Sequence, residues 1–391
     1  MRIKEILSSA KPWDSDMRII IIGPAYPLRG GIAHFAALLY KKLTRKKHQV
    51  KLISFKRQYP SLFFPGKTQY DEGKPLIKAP SLPLIDSINP VSWFRTIFYI
   101  RAYQPDLVIF QYWMPFFALC YTTILLGAKF LNIPVFYICH NIIPHEKKFG
   151  DRFLTHIAFR FVNAFIVQSK AVLEDLLEVR KKALYQMVYH PIYTIFPAGT
   201  DKTAAQKKLH IQKGRVILFF GIVRKYKGLD ILIRAMPSVL AKMDVRLIVC
   251  GEFYEDRQEY FELAADLGIQ ENIRFEDRFV PNEKVGLYFS AADLVVLPYI
   301  SATQSGIVQL AYYYNKPVIV TDVGGLAEPV SNDKTGYVVP PESPVALARA
   351  IVQFYRDKKE RIFTAKIKKE KTLYADDHLI EAIDFLYTEC R

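Results

Sequence analysis

Cysteine is scarce in this chain: four among 391 residues, none at a C-x-x-C spacing from another. Cys120, Cys139, Cys250 and Cys390 are therefore poor material for a zinc knuckle or a dithiol redox motif, and a reducing compartment is expected. Short-period repeats and low-complexity tracts are also missing, which excludes solenoids and long disordered segments. The opening "MRIKEILSSAKPWDSD" is charged and interrupted, without the apolar core of a secretory signal, so the expected location is the cytoplasm and not the exterior. Acidic residues are sparse in one half only. Up to Gly199 there are 27 Lys and Arg against 12 Asp and Glu, and beyond it 27 against 26. Nearly all of the formal charge of +16 thus lies in the first half. Such an excess suits an acidic partner, either an anionic phospholipid surface at the inner face of the cell membrane or a lipid-linked phosphate acceptor. Zinc-finger spacing, an RNP-like pattern and a basic heptad region are all lacking, so nucleic acid is not expected.

What the chain does have is core material, with 51% hydrophobic and 14% aromatic residues. Its length exceeds the size at which one core keeps growing, so two domains are the natural expectation. Residues 107–128 carry no charge and are long enough to be weighed as a membrane span. They read better as soluble core: "DLVIFQYW" is a β-branched buried strand, Pro115 starts a new element, and "FFALCYTTILLGAKFL" has the length of a core helix. Peripheral attachment to a membrane stays compatible with that reading.

Apolar runs alternate with helical patterns along the first half: "RIIIIG" then 31–47, "DLVIFQYW" then the helix after Pro115, "PVFYICHN" then 151–163, and "AFIVQS" then 171–179. Strands that are apolar throughout belong in parallel sheets covered on both faces. The pattern pauses at "HPIYTIFPAGTDKTAAQKK", which reads as a linker, and restarts with "RVILFFG", "VRLIVCG", "IRFEDRFV", "DLVVLPY", "PVIVTD" and "GYVVP". The expected architecture is two Rossmann-like, doubly wound α/β domains, 1–195 and 196–391, facing a central cleft, with the last helix able to pack back on the first domain.

The cleft-facing motifs follow from that layout. "GPAYPLRGG" puts Gly30 and Gly31 between the first strand and its helix, where a backbone without Cβ can approach a phosphate or sugar, although the dinucleotide G-x-G-x-x-G spacing is absent. The strand "PVFYICHN" delivers His140 and Asn141 to its carboxyl end, with Pro144, His145 and Glu146 beyond. "ILFFGIVRKYKGLDIL" brings Arg224, Lys225 and Lys227 just ahead of a helix, an arrangement that fits an anion site or a solvated turn. In "SATQSGIV", Ser305, Gly306, Ile307 and Val308 form a helical first turn whose backbone N–H groups would point into the cleft, and Gly324 and Gly325 make a second close-approach turn after "PVIVTD".

Together "FFGIVRKYKGLDIL", "VPNEKVGLYFSAADLVVLPY", "TQSGIVQLAYYYNKPVIVTDVGGLAEPV" and "GYVVPP" resemble glycosyltransferase family 4, retaining transferases of the GT-B fold. The likeness is most specific over residues 215–341 and looser in the first half, where the double glycine and "CHNIIPHE" correspond to acceptor-domain sites. It implies transfer of a sugar from a nucleotide-sugar donor to a hydroxyl acceptor, a sugar or a lipid-linked one, in surface polysaccharide or glycolipid assembly. Arg224 and Lys227 would hold the diphosphate, Ser305, Gly306, Ile307 and Val308 would complete its cradle, and His140 would lie near the reacting sugar. Neither a cofactor nor a metal is expected, because cations can neutralise the leaving diphosphate. The chain departs from the family pattern in two places. Ile222 stands where an arginine is frequent, and the usual pair of glutamates falls on Ala302 and Leu310, or on Thr303 and Ala311, so no carboxylate is supplied. Gln304 is the remaining polar candidate for a sugar hydroxyl. Two rivals stay open at this level: a nucleotide-sugar epimerase on the same fold, and a sugar-nucleotide-binding protein without turnover.

Overall fold

The computed structural model describes residues 16–61, 64, 66–71, 73–144 and 149–391, so His145 and Glu146 lie outside the described residues. The first half runs β1 (Arg18–Ile22), α1 (Gly31–Arg45), β2 (Gln49–Arg57), β3 (Ser81–Asp86), α2 (Pro90–Tyr103), β4 (Leu107–Tyr112), α3 (Ala118–Phe130), β5 (Val135–Cys139), α4 (Asp151–Phe159), β6 (Ala164–Val167), α5 (Lys170–Val179) and β7 (Tyr185–Met187). These strands form one parallel sheet in the order β3-β2-β1-β4-β5-β6-β7. The apolar runs of β4, β5 and β6 are buried along their whole length, as strands with helices on both faces must be. Residues 107–128 thus divide between β4, a single turn of 3-10 helix and α3, and among the described residues no helix is long and apolar enough to cross a membrane.

The second half contains α6 (Lys202–Lys208), β8 (Val216–Phe220), α7 (Leu229–Leu240), β9 (Arg246–Cys250), α8 (Gln258–Asp266), β10 (Ile273–Glu276), α9 (Asn282–Ala291), β11 (Leu294–Leu297), α10 (Gly306–Tyr313), β12 (Val318–Thr321), β13 (Gly336–Val339), α11 (Pro344–Arg356), α12 (Lys359–Glu370) and α13 (Asp377–Glu389). Its parallel sheet is ordered β10-β9-β8-β11-β12-β13. In each sheet the strand order reverses beside the first strand, between β1 and β4 and between β8 and β11. Connections leave in opposite directions there and open a crevice at the carboxyl ends of the strands.

The segment read as a linker is not a solvated tether. Ile192, Tyr193, Ile195 and Phe196 are buried in the core cluster that also takes in Leu218, Leu297 and Val308, and residues 202–208 are helical, capped by Asp201. The chain crosses twice between the sheets, and the two passages are joined: Ile192 N–H donates to the Tyr374 carbonyl at 3.0 Å and the Thr194 hydroxyl to Asp376 at 3.2 Å. After the second passage α13 lies on the first sheet, where Leu379, Ile380, Ile383 and Leu386 pack with Ile19, Ile21 and Phe35. Lys42 on α1 fastens its start, 2.6 Å from Asp376 and 3.1 Å from Asp377.

Candidate active site

A cavity of about 340 Å³ lies between the two sheets, over both reversal points. Its first-domain wall comes from the turn after β1 (Gly30, Gly31), from α1 (His34) and from the end of β5 (His140). Gly30 has φ 116°, a left-handed conformation that favours glycine, and a Cβ there would meet nothing within 4 Å. The opposite wall carries Gly221, Lys227, Gln304, Ser305, Gly306 and Ile307.

Lys227 is the cation that the fold brings to this cavity. A 3-10 turn over Lys225–Lys227 follows β8 and ends at Gly228, whose left-handed φ of 63° starts α7. The Lys227 ammonium then lies 3.4 Å from where a Cβ of Gly221 would stand, a point that is 3.6 Å from Ile307 Cδ1, so the cation and a side chain of the first turn of α10 approach one corner. The ring of Tyr299 lies 5.5 Å away. Burial, reinforced by the positive charge of Arg224, lowers the Lys227 pKa to about 8. α10 itself begins with the Ser305 hydroxyl accepting from Ile307 N–H at 3.3 Å. Its dipole places partial positive charge at the corner that Lys227 shares.

Arg224 is placed differently from the expectation. It does not line the cavity; it is half-buried, with its guanidinium over the Tyr254 ring at 5.3 Å. Lys225 is exposed and turned toward Glu259, 3.9 Å away. Val308 is fully buried, with its N–H on the Ser305 carbonyl, and Asn141 also stays off the cavity wall. The other expected residues, Gly30, Gly31, His140, Gln304, Ser305, Gly306 and Ile307, are brought together around one space.

His140 is buried and its Nε2 lies 2.5 Å from Gln111 Oε1. Burial first, and His190 second, lower its pKa to about 3, so it is a neutral imidazole in the physiological range. Gln304 bridges the domains, its Nε2 donating to the His140 carbonyl at 2.9 Å and to Gln168 Oε1 at 3.1 Å. Gln304 lines the cavity, and its Oε1 is a buried acceptor left without a hydrogen-bond partner. Leu310, which corresponds to one family glutamate under one of the two alignments, lines the cavity too and makes that stretch of wall apolar.

Three lining residues, Glu252, His190 and Tyr193, were not singled out by the motif reading. Glu252 follows β9 at its carboxyl end and forms a buried ion pair with Arg29 at 2.6 Å, the two side chains 2% and 6% exposed. The strand-end rule applied elsewhere points to it, because "VRLIVCGE" ends there. His190 and Tyr193 come from the supposed linker. The Tyr193 hydroxyl lies 3.2 Å from both the Gly31 carbonyl and His190 Nε2, and a Cβ on Gly306 would stand 3.0 Å from it, so this side chain joins the starts of α1 and α10. No local pattern announces that role. Among the described residues no group of three or more His, Cys, Asp and Glu could hold a metal ion.

Comparison with known proteins agrees with this layout. Residues 29–194 match the model "Glycosyltransferase Family 4", and residues 214–357 match "Glycosyl transferases group 1". A D-inositol 3-phosphate glycosyltransferase of Corynebacterium urealyticum is 34% identical over 44% of this chain and 42% of its own. An uncharacterized glycosyltransferase of Methanocaldococcus jannaschii is 28% identical over 49% of this chain and 50% of its own. The matched region thus spans about half the length of these curated relatives, or less. The fold is shared over nearly the whole chain with solved structures. Sucrose-phosphate synthase from Thermosynechococcus elongatus has a TM-score of 0.71 at 17% identity, covering 95% of this chain and 98% of that one. Anabaena HepE, solved with UDP-glucose, has a TM-score of 0.71 at 18% identity, covering 96% of this chain and 100% of that one. The two domains accordingly have the GT-B arrangement. The epimerase alternative gains no support: both family models describe transferases, and the cavity carboxylate Glu252 is committed to Arg29.

Proposed function

The chain belongs to glycosyltransferase family 4, and from that premise we propose that it moves a sugar from a nucleotide-sugar donor to a hydroxyl acceptor with retention of anomeric configuration. The observation that carries the reading is the corner where the Lys227 ammonium and the N-terminus of α10 meet at the cavity edge. A diphosphate seated there receives one full charge and the partial charge of the helix end, and both interactions strengthen as the glycosidic bond breaks and negative charge builds on the leaving group. Arg224 contributes through the field around Lys227, not as a cavity ligand. No metal or cofactor is required in this scheme.

Gln304 and His140 lie on the sugar side. The Gln304 Oε1 acceptor suits a donor-sugar hydroxyl, and the neutral His140 with its Gln111 partner offers a fixed dipole and no titrating acid. Gly30 and Gly31 leave a cradle without side chains for the acceptor. That acceptor is a sugar or lipid-linked hydroxyl in polysaccharide or glycolipid assembly, and the work site is the cytoplasmic face of the cell membrane. The charge excess of the first half supports this location.

Leu310 on the cavity wall favours one second reading, a nucleotide-sugar-binding protein without turnover. A thermal-shift screen against nucleoside diphosphates and their sugars tests the shared premise, since ligand binding to the native state raises the melting midpoint by mass action. At least one diphosphate and its sugar should raise it, and a flat response to all of them would contradict both readings. Turnover of the stabilising donor with a membrane-lipid extract then separates transferase from binder.

A further inference from the structure

We infer that the outer surface of α2 and α3, continued by α4, is the face on which the protein docks to an anionic phospholipid bilayer. The same helices fill their inward positions separately, with Thr96 and Ile100 on α2 and Tyr121, Ile124 and Leu125 on α3, so their outward apolar residues are not needed by the core. Those outward residues are large. On α2, Val91, Phe94 and Phe98 stand at i, i+3 and i+7, one helical stripe, and are 58%, 55% and 66% exposed. On α3, Leu119, Thr123, Leu126 and Phe130 follow a second stripe, open at both ends, where Leu119 and Phe130 are exposed. The two helices touch, since a Cβ on Gly127 would overlap the Ile97 side chain, and α4 adds the exposed Phe153. In the second domain the large exposed apolar residues are spread out, Ile300 in the loop after β11, Val345 on α11, Ile362 on α12 and Leu373 in the 3-10 turn before α13, the ordinary scatter of a protein surface.

Charge identifies the occupant. Neither α2 nor α3 contains Asp or Glu, while Arg95 and Arg101 on α2 and Lys129 on α3 are exposed among the apolar side chains. Arg152 on α4 pairs with Glu178, and Arg160, just past the end of α4, flanks the Phe161 ring that Lys129 also faces. Phenylalanines rising among arginines match the boundary of a bilayer, where rings enter the acyl region and guanidinium groups meet phosphates. Two copies meeting by this face would set like charge against like. The inference deepens the membrane-side reading above and rests on it only for where the protein works. Vesicle binding needs neither donor nor acceptor, so its failure and the failure of the transferase reading are separate results.

The test is flotation of the full chain with vesicles of phosphatidylcholine alone and of phosphatidylcholine mixed with phosphatidylglycerol, at rising salt. The protein should float with the anionic vesicles and be released in part as salt screens the arginines. The double variant Phe94→Ser/Phe98→Ser should lower the partition coefficient at least about tenfold, because two rings no longer enter the acyl boundary. Arg95→Glu/Arg101→Glu should abolish the preference for anionic lipid. Val345→Ser/Leu373→Ser, on the other domain, should float like the parent, and melting curves should stay close to the parent's for all three because the altered residues are exposed. Absence of flotation, or equal loss in the second-domain variant, would overturn the inference. So would a dimer by light scattering that Phe94→Ser/Phe98→Ser converts to monomer while vesicle binding is unchanged.

Discussion

Raising the pH should weaken nucleoside diphosphate binding through Lys227. Burial and Arg224 lower its pKa to about 8 in the unliganded protein. An anion seated against the ammonium favours the charged form, so the bound-state pKa lies higher. Affinity is then fully present below about 8 and declines as the pH rises through that value, until the bound-state pKa is reached. From pH 7 to pH 9.5 the charged fraction of such a group falls about thirtyfold, which bounds the expected loss in association constant. Stability runs the other way. The unfolded chain holds this proton more tightly, so the unliganded protein gains stability as pH rises from about 8 toward the ordinary lysine value, and Lys227→Met should melt higher than the parent at pH 7. Isothermal titration with the diphosphate found in the screen, for parent and Lys227→Met across the pH range, is the assay. A parent affinity that is flat to pH 9.5, or a Lys227→Met protein that keeps the full pH slope, would refute the assignment of the diphosphate to this corner.

Three further outcomes are expected. The cations of "VRKYKG" should rank by their distance from the cavity: Lys227→Ala should cost about 2–4 kcal/mol in kcat/KM, like loss of an oxyanion donor, Arg224→Ala less, and Lys225→Ala no more than about 0.5 kcal/mol. Steady-state kinetics that put the largest loss at Lys225 would misplace the phosphate. Gln304→Ala should reduce turnover and sugar discrimination more than diphosphate affinity, because its unpaired Oε1 is the proposed acceptor for a sugar hydroxyl; equal losses in titrations with the diphosphate and its sugar would count against that role. Arg29→Ala or Glu252→Ala should each destabilise the protein by about 3–5 kcal/mol by leaving a buried charge alone, and the double variant by less than the two losses added, as read from denaturant unfolding.

The parts of the fold that could be read from the sequence are those whose pattern is local. Strands buried on both faces, such as β5 and β8, are apolar throughout, and the Ser305 cap with Gly306 marks the start of α10 within four letters. Elements that compromise with solvent or with a sheet edge were not legible. β2 has the exposed ends Gln49, Lys51, Lys56 and Arg57, and the edge strand β3 carries Pro83. The outward phenylalanines of α2 blur its amphipathic period, since apolar residues occupy both its faces. The linker reading placed the passage between the domains but not its burial, because prolines and glycine mark loops in general, whereas the burial of Tyr193 and Phe196 arises only when both domains close on them. The same limit applies at the site. Lys227 could be picked out from its strand and helix neighbours, but what separates it from Arg224 is the direction each side chain takes from opposite ends of the 3-10 turn. Glu252 depends on Arg29, a partner from the other domain.

The most direct test of the central claim is the anomeric outcome of a complete reaction. The nucleotide-sugar that stabilises the protein, labelled with carbon-13 in its sugar, is incubated with the full chain and a membrane-lipid extract, and the labelled product is examined by NMR. The account predicts stoichiometric release of nucleoside diphosphate and a product whose anomeric coupling matches the donor's, with both slowed in Lys227→Ala. A product of inverted configuration, or an epimerised donor with no diphosphate released, would contradict it.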